Sequence, residues 1–323
     1  MIRNRNIDED AYIDPHKIAG EMFADRRVVY SVAKSTDGSA VPYGWYEPRL
    51  PIDKLHGSIS SAYNAATSGQ NDVIYLTPES HSQSAALTWA KNLTHLVGLS
   101  PPAYMNQRSR IGHSSANVSP LLTVSGYGNM FQNLFLQYGR GAAANLNALT
   151  ISGDRNSFIR CHVGGPMNAT EGDQANFRLV TLNCGEVYFE KCFFGVDTVA
   201  WTNGAMFKFY GPADRSTRAV FKDCIFMMNA DNNQVRFIET VAGNGAGVSV
   251  FMNCQFINMG TALGFAINDA GLGNQKFYFD ANCCFSGVSY IVQAAKEANI
   301  LVGHGGYVAS AVSNLIGGTA DYS

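Results

Sequence analysis

The sequence predicts an all-β chain wound as a solenoid, and three observations carry that prediction. A short apolar motif recurs about every 30 residues, a second apolar alternation precedes each copy, and no helical pattern fills the space between them. Composition agrees: of 323 residues, 32 are Gly, 19 Phe and 15 Tyr, while only 15% are charged, which suits short strands and frequent turns.

The motif aligns on cysteine. Phe158–Val163, Phe189–Phe194, Phe221–Phe226 and Phe251–Phe256 each read apolar-x-x-Cys-x-apolar, with steps of 31, 32 and 30 residues between cysteines. Phe131–Leu136 fits one unit earlier with Leu134 in place of Cys, and Phe279–Phe285 fits one unit later with an inserted residue. Before each copy stands an alternation such as Leu121–Gly126, Ala148–Gly153, Leu179–Cys184, Met206–Gly211, Val235–Glu239 or Leu263–Asn268. The unit is therefore strand, turn, strand, bend, strand, loop.

Apolar residues three apart break strict strand alternation, so the residue between them must turn the chain while both flanking side chains stay inside. Asn133, Arg160, Lys191, Asp223, Asn253 and, with the insertion, Asn282 hold that position. Asn and Asp tolerate the left-handed conformation such a bend uses. Counting Val73–Leu99 as an irregular first coil gives about seven coils, a stack roughly 30 Å tall at ~4.8 Å per strand step.

Seven cysteines is an odd number for a complete disulfide framework. Cys161, Cys192, Cys224, Cys254 and Cys283 (or its neighbour Cys284) are instead expected one above another as small buried hydrophobes. A single-file ladder does not converge tetrahedrally, so no zinc site and no cofactor are expected.

A solenoid needs its open ends covered. Ile52, Leu55, Ile59, Ala62, Tyr63 and Ala66 have helical spacing before Ser68-Gly69, which assigns 52–69 as a helical cap on a β-helix spanning 70–290. Residues 291–323 form a C-terminal cap or tail, with Tyr307–Ile316 as an amphipathic candidate. Residues 1–51 read differently: Ile18, Met22 and Phe23 follow Asp14-Pro15, and Tyr43, Trp45 and Tyr46 lie in a turn-rich strip. This segment either folds back on its own solenoid or acts as an arm that buries its aromatics on a neighbouring subunit.

A net charge of −2 offers no global field for nucleic acid or an anionic membrane, and no apolar run reaches bilayer-spanning length. The start of the chain, Met1 to Asp10, lacks a signal-peptide core, so the three Asn-x-Ser/Thr sites at Asn92, Asn117 and Asn168 are read as chance. Candidate acids are Asp154, Glu171, Asp173, Asp197, Asp214 and Asp223; Glu171 and Asp173, with Arg178 nearby, sit in the long 164–178 loop. An exposed polar loop accounts for the same residues. His81, His95, His113, His162 and His304 show no metal-ligand spacing.

The stacked Asn-Cys-x-Phe corners resemble those of the right-handed parallel β-helix of the pectate-lyase type. Asn71–Pro78, Leu87–Leu99 and Leu122–Gly126, with Asn106–Gly112 and Gly164–Met167, resemble a group of tailed-bacteriophage virion proteins built on that fold. The resemblance implies a structural, non-enzymatic protein made in the host cytoplasm and carried on the virion: a homotrimeric capsid decoration protein whose partners are the major capsid protein or other virion proteins. On this expectation the arm residues Ile18, Met22, Phe23, Tyr43, Trp45 and Tyr46 contact the capsid, and neither nucleic acid nor membrane is a partner. The alternative is a short tailspike-like module that binds or cleaves a glycan.

Overall fold

The computed structural model describes residues 28–31 and 56–307, except 102, 114–117, 140, 142, 144–145, 211–216, 242–246, 270–274, 293–299 and 304–305. Ile18, Met22, Phe23, Tyr43, Trp45 and Tyr46, together with residues 52–55 and 308–323, lie outside the described residues.

The chain is a right-handed parallel β-helix. Among the described residues its strands fall into three long sheets: A with 11 strands, B with 8 and C with 7, besides a two-stranded piece. One coil runs from Leu122–Val124 in sheet C to Met130–Gln132 in A and Phe135–Gln137 in B, then returns to C at Asn147–Ile151. Coils pair in parallel and in register, Leu149 opposite Leu122 and Phe158 opposite Phe131, because the same apolar positions recur in every coil.

Those positions build the core. Phe131, Phe158, Phe189, Phe221, Phe251 and Phe279 stack face to face along sheet A, with centroid separations of 4.8, 5.2, 4.8, 4.6 and 4.7 Å. Phe194, Phe226, Phe256 and Phe285 form a second column along sheet B at 5.1, 4.4 and 4.5 Å. A ring spacing close to the strand spacing lets each coil repeat the contacts of the last.

The column between them is thiol. Cys161, Cys192, Cys224 and Cys254 are buried and free, and each Sγ lies 3.3–3.7 Å from a Phe carbonyl of the preceding coil: Phe131, Phe158, Phe189 and Phe221. Cys283 continues the column toward the Phe251 carbonyl at 3.4 Å, whereas Cys284 takes the next position, opposite Gln255 in sheet B. The bends beside them are left-handed, with φ of 57° at Asn133, 52° at Arg160 and Lys191, 54° at Asp223 and 51° at Asn253. Asn282 departs from this series. The inserted residue makes a turn there, in which the Asp280 carboxylate accepts the backbone N–H of both Asn282 and Asn253 at 3.0 Å.

At the N-terminal end, β1 (Val28–Ser31) adds a parallel strand to Asp72–Leu76, so this part of the 1–51 segment belongs to the solenoid itself. Helix α1 (Ile59–Ala65), capped by Ser58 and burying Ile59 and Ala62, closes the stack. Lys91 fastens α1 to the first coil: Nζ donates to the carbonyls of Tyr63, Asn64 and Ala66 at 2.5–3.0 Å. At the other end Gly306–Tyr307 pairs antiparallel with Leu301–Val302, a strand where the spacing predicts the start of a helix.

The segment between sheets A and B of the first full coil, Leu99–Arg108, lies along the stack rather than turning within it. Asn133 Nδ2 donates to the Ser100 carbonyl, Gln107 Nε2 to the Arg160 carbonyl at 2.7 Å, and Tyr104 Oη to the Asp223 carbonyl at 2.5 Å. This strap buries the outward side chains Phe135, His162 and Phe193 of sheet B.

Candidate functional site

The outer face of sheet C is where polar, charged and aromatic side chains collect. Thr88, Thr123, Thr150, Thr181, Lys208, Glu239 and Asn268 share one register row. Asn147, Arg178, Ala205 and Arg236 form a second, parallel row. The rows are cross-linked: Asn147 Nδ2 donates to Thr181 Oγ1 at 2.5 Å, Thr150 Oγ1 to Asn147 Oδ1 at 3.1 Å, and Arg178 forms an ion pair with Glu239. Arg178 reaches Glu239 across the rung of Ala205, whose side chain is too short to block it.

Aromatic rings border the face. Lys208 Nζ lies 5.4 Å from the ring centroid of the exposed Tyr210. The Arg236 guanidinium lies 5.6 Å from the ring of Phe265, which packs at 5.8 Å and 32° against Tyr290.

The loops that lead into sheet C carry the acids. In the 164–178 loop, helix α2 (Ala169–Gly172) turns Glu171 fully inside, where Oε1 accepts the Gly141 N–H at 2.6 Å. Asp173 faces outward two residues later and joins a partner that sequence proximity does not suggest. Thr202 Oγ1 lies 2.6 Å from Asp173 Oδ1 and 3.3 Å from Asp231 Oδ2, which sets these two carboxylate oxygens at most about 6 Å apart, below the wider spacing of paired acids that admit a water between them. Asn203 Nδ2 donates to the Asp173 carbonyl at 2.9 Å and holds the loop against the next coil.

The expected Glu171 and Asp173 grouping is thus divided, because Glu171 belongs to the interior and Asp173 to the surface. Of the other candidate acids, Asp154 Oδ1 accepts the Gly185 N–H at 2.6 Å and Asp223 Oδ1 accepts Asn253 Nδ2 at 2.8 Å, both as corner links. Asp197 is exposed on Phe193–Trp201, and Asp214 lies outside the described residues. Asp231 escapes a reading of the sequence because the signal joining it to Asp173 is the coil spacing, 29 residues from each acid to a shared threonine position. Among the described residues no group of three or more His, Cys, Asp or Glu gathers as metal ligands.

No protein-family pattern and no curated protein matches the chain. Solved structures do. The pectin methylesterase from Aspergillus niger is 15% identical, with 85% of this chain and 80% of that one covered and a TM-score of 0.46. Pectin methylesterase PemA from Erwinia chrysanthemi is 14% identical over 80% and 89% (TM-score 0.44), and pectate lyase Pel9A 13% identical over 85% and 78% (TM-score 0.45). These chains are similar in architecture, and no residue role passes from them to this one. The pectate-lyase-like β-helix implied by the phage resemblance is present; a head-decoration role is shown by none of these comparisons. The expectation of a non-enzymatic chain does not stand against these comparisons, in which the solved neighbours are, by name, pectin methylesterases and a pectate lyase; their likeness to this chain shows the fold alone.

Proposed function

We propose that this chain is a glycan-binding β-helix module, of the tailspike-like kind, that also cleaves the glycan it binds. The observation that carries the reading is the outer face of sheet C: a flat row of hydroxyl, amide and ionic side chains bordered by aromatic rings. A polyhydroxylated chain offers many weak hydrogen-bonding groups and apolar ring faces, and binds such a surface by many parallel contacts.

Asp173 and Asp231 supply the cleaving chemistry. Glycoside hydrolysis uses one carboxyl to protonate the departing oxygen and a second to attack the anomeric carbon or activate water, and an upper bound of about 6 Å on the separation is compatible with direct attack rather than with the wider spacing that admits a water. The Thr202 hydroxyl donates to Asp173 and lies within reach of Asp231 on the next coil, and Asn203 holds the Asp173 backbone. A position on a phage particle and a homotrimeric assembly are compatible with this reading and belong to the proposal.

The test is depolymerisation of host-envelope polysaccharide by the purified full chain. Release of new reducing ends is expected, reduced at least ~100-fold in Asp173→Asn and Asp231→Asn with glycan binding retained, as befits loss of an acid or base group. Undiminished cleavage by both variants refutes the assignment of the acids; absence of binding to any envelope polysaccharide refutes the reading as a whole.

A further inference from the structure

The outer face of sheet A differs in kind from that of sheet C. Strand alternation turns the residues beside the stacked phenylalanines outward, and the middle row there reads Met130, Ser157, Tyr188, Val220, Val250 and Tyr278. Every member is partly exposed. Charged rows flank this apolar strip. On one side Glu186 stands opposite Arg218, with Val248 opposite Lys276; on the other Ile159, Glu190, Lys222 and Met252 follow one another coil by coil. An apolar strip inside a charged rim has the anatomy of a protein contact.

The rim also says what the partner is. Its charges alternate along the stack on both edges, Glu186 and Glu190 on one coil and Arg218 and Lys222 on the next. A twofold axis lying in the face, perpendicular to the stack and passing between these two coils, sets each acid over a cation of a second copy: Glu186 over Arg218 and Glu190 over Lys222, each twice. The same axis sets Tyr188 over Val220, Ile159 over Met252 and Met130 over Tyr278. A second copy turned about the stack axis instead would set Glu186 over Glu190 and Arg218 over Lys222, like charge on like. Three rows about 7 Å apart, over six coils at ~4.8 Å, cover about 600 Å² per copy, and the pair buries about 1,200 Å², the lower end of specific interfaces.

We infer that the chain pairs with a second copy of itself through the outer face of sheet A, the two stacks running in opposite directions. The contact is isologous, each coil's row meeting the same row of the other copy. It leaves the outer face of sheet C uncovered, so it stands or falls separately from the glycan reading.

Sedimentation equilibrium of the purified full chain from about 1 to 100 μM tests it. A two-chain mass is expected. Val220→Lys, present twice in the interface and facing Tyr188, weakens association ~100-fold or more. Glu190→Lys alone weakens it ~10-fold or more, and Glu190→Lys combined with Lys222→Glu restores it, because each position again meets its opposite; that recovery also shows that the single change left the fold intact. A one-chain mass throughout the range overturns the inference, as it would if another part of the same chain covered the face. A three-chain mass, association indifferent to Val220→Lys, or a double reversal no tighter than the single one overturns it as well.

Discussion

Acid should loosen this protein through His162. The imidazole is 1% exposed, stacked on Phe135 at 4.4 Å and set edge-on to Phe193 at 5.0 Å. Its Nε2–H donates to the Gly195 carbonyl at 3.0 Å and Nδ1 accepts the Asn106 N–H at 3.1 Å, an arrangement available only to the neutral ring. Burial lowers its pKa from 6.5 to about 4, against the smaller opposing effect of the Gly195 carbonyl. The folded state therefore binds fewer protons than the unfolded state between these values, and stability rises with pH across that window. The contribution is complete above pH 6.5 and lost as pH falls toward 4. At ~1.4 kcal/mol for each tenfold change in the proton-binding constant, the whole effect is about 3 kcal/mol. His81, also pushed down to about 4 by burial, adds a contribution of the same sign.

The assay is urea denaturation at about pH 7, 6, 5 and 4.5, a series that spans the titration window, for the wild type and His162→Phe. Near neutrality the variant is expected to be less stable by about 1–3 kcal/mol, because the Asn106 N–H and the Gly195 carbonyl lose their partner. Its pH slope is shallower, so the two curves converge on acidification. Parallel curves would mean that His162 titrates alike in the folded and unfolded chain, which a neutral ring held by those two hydrogen bonds does not allow.

The bends and the thiols carry expectations of their own. Lys191 holds φ of 52°, a conformation that costs a residue with a β-carbon about 1 kcal/mol, so Lys191→Asn is expected to raise the unfolding midpoint slightly; a clear loss of stability contradicts that account. In the native protein a maleimide is expected to label the half-buried Cys283–Cys284 pair before Cys161, Cys192, Cys224 or Cys254, because burial shields the ladder from the reagent. Mass mapping of the labelled peptides checks the order, and early labelling of Cys192 contradicts it.

The solenoid is legible in the sequence because every coil repeats one steric problem. A bend that keeps Phe158 and Cys161 both inside must recur at Phe189 and Cys192, and the spacing of those residues states the period directly. What interrupts the repeat is less legible. The strap at Leu99–Arg108 replaces a one-residue bend by an excursion along the axis, and its anchors Gln107 and Tyr104 bond to carbonyls of residues 53 and 119 positions away. Backbone carbonyls are present at every position, so no residue type marks them as partners. Asn129 and Asn156 are hidden for a similar reason: buried and linked, Asn129 N–H to Asn156 Oδ1 at 2.9 Å, they form a corner ladder of two members, too short to stand out as a period.

The two rows of sheet C obey the same rule. In an outward-facing row each residue is a coil apart from the next, so chemistry assembled there is written at intervals of about 30 residues rather than within a loop. Glu171 and Asp173 lie close in sequence, yet the short helix α2 sends one inward and the other outward; Asp173, Thr202 and Asp231 are distant in sequence and meet. Arg178 finds Glu239 in the same way, two coils on, and Arg236 finds no acid at the corresponding distance among the described residues. That asymmetry is visible only once the register is known.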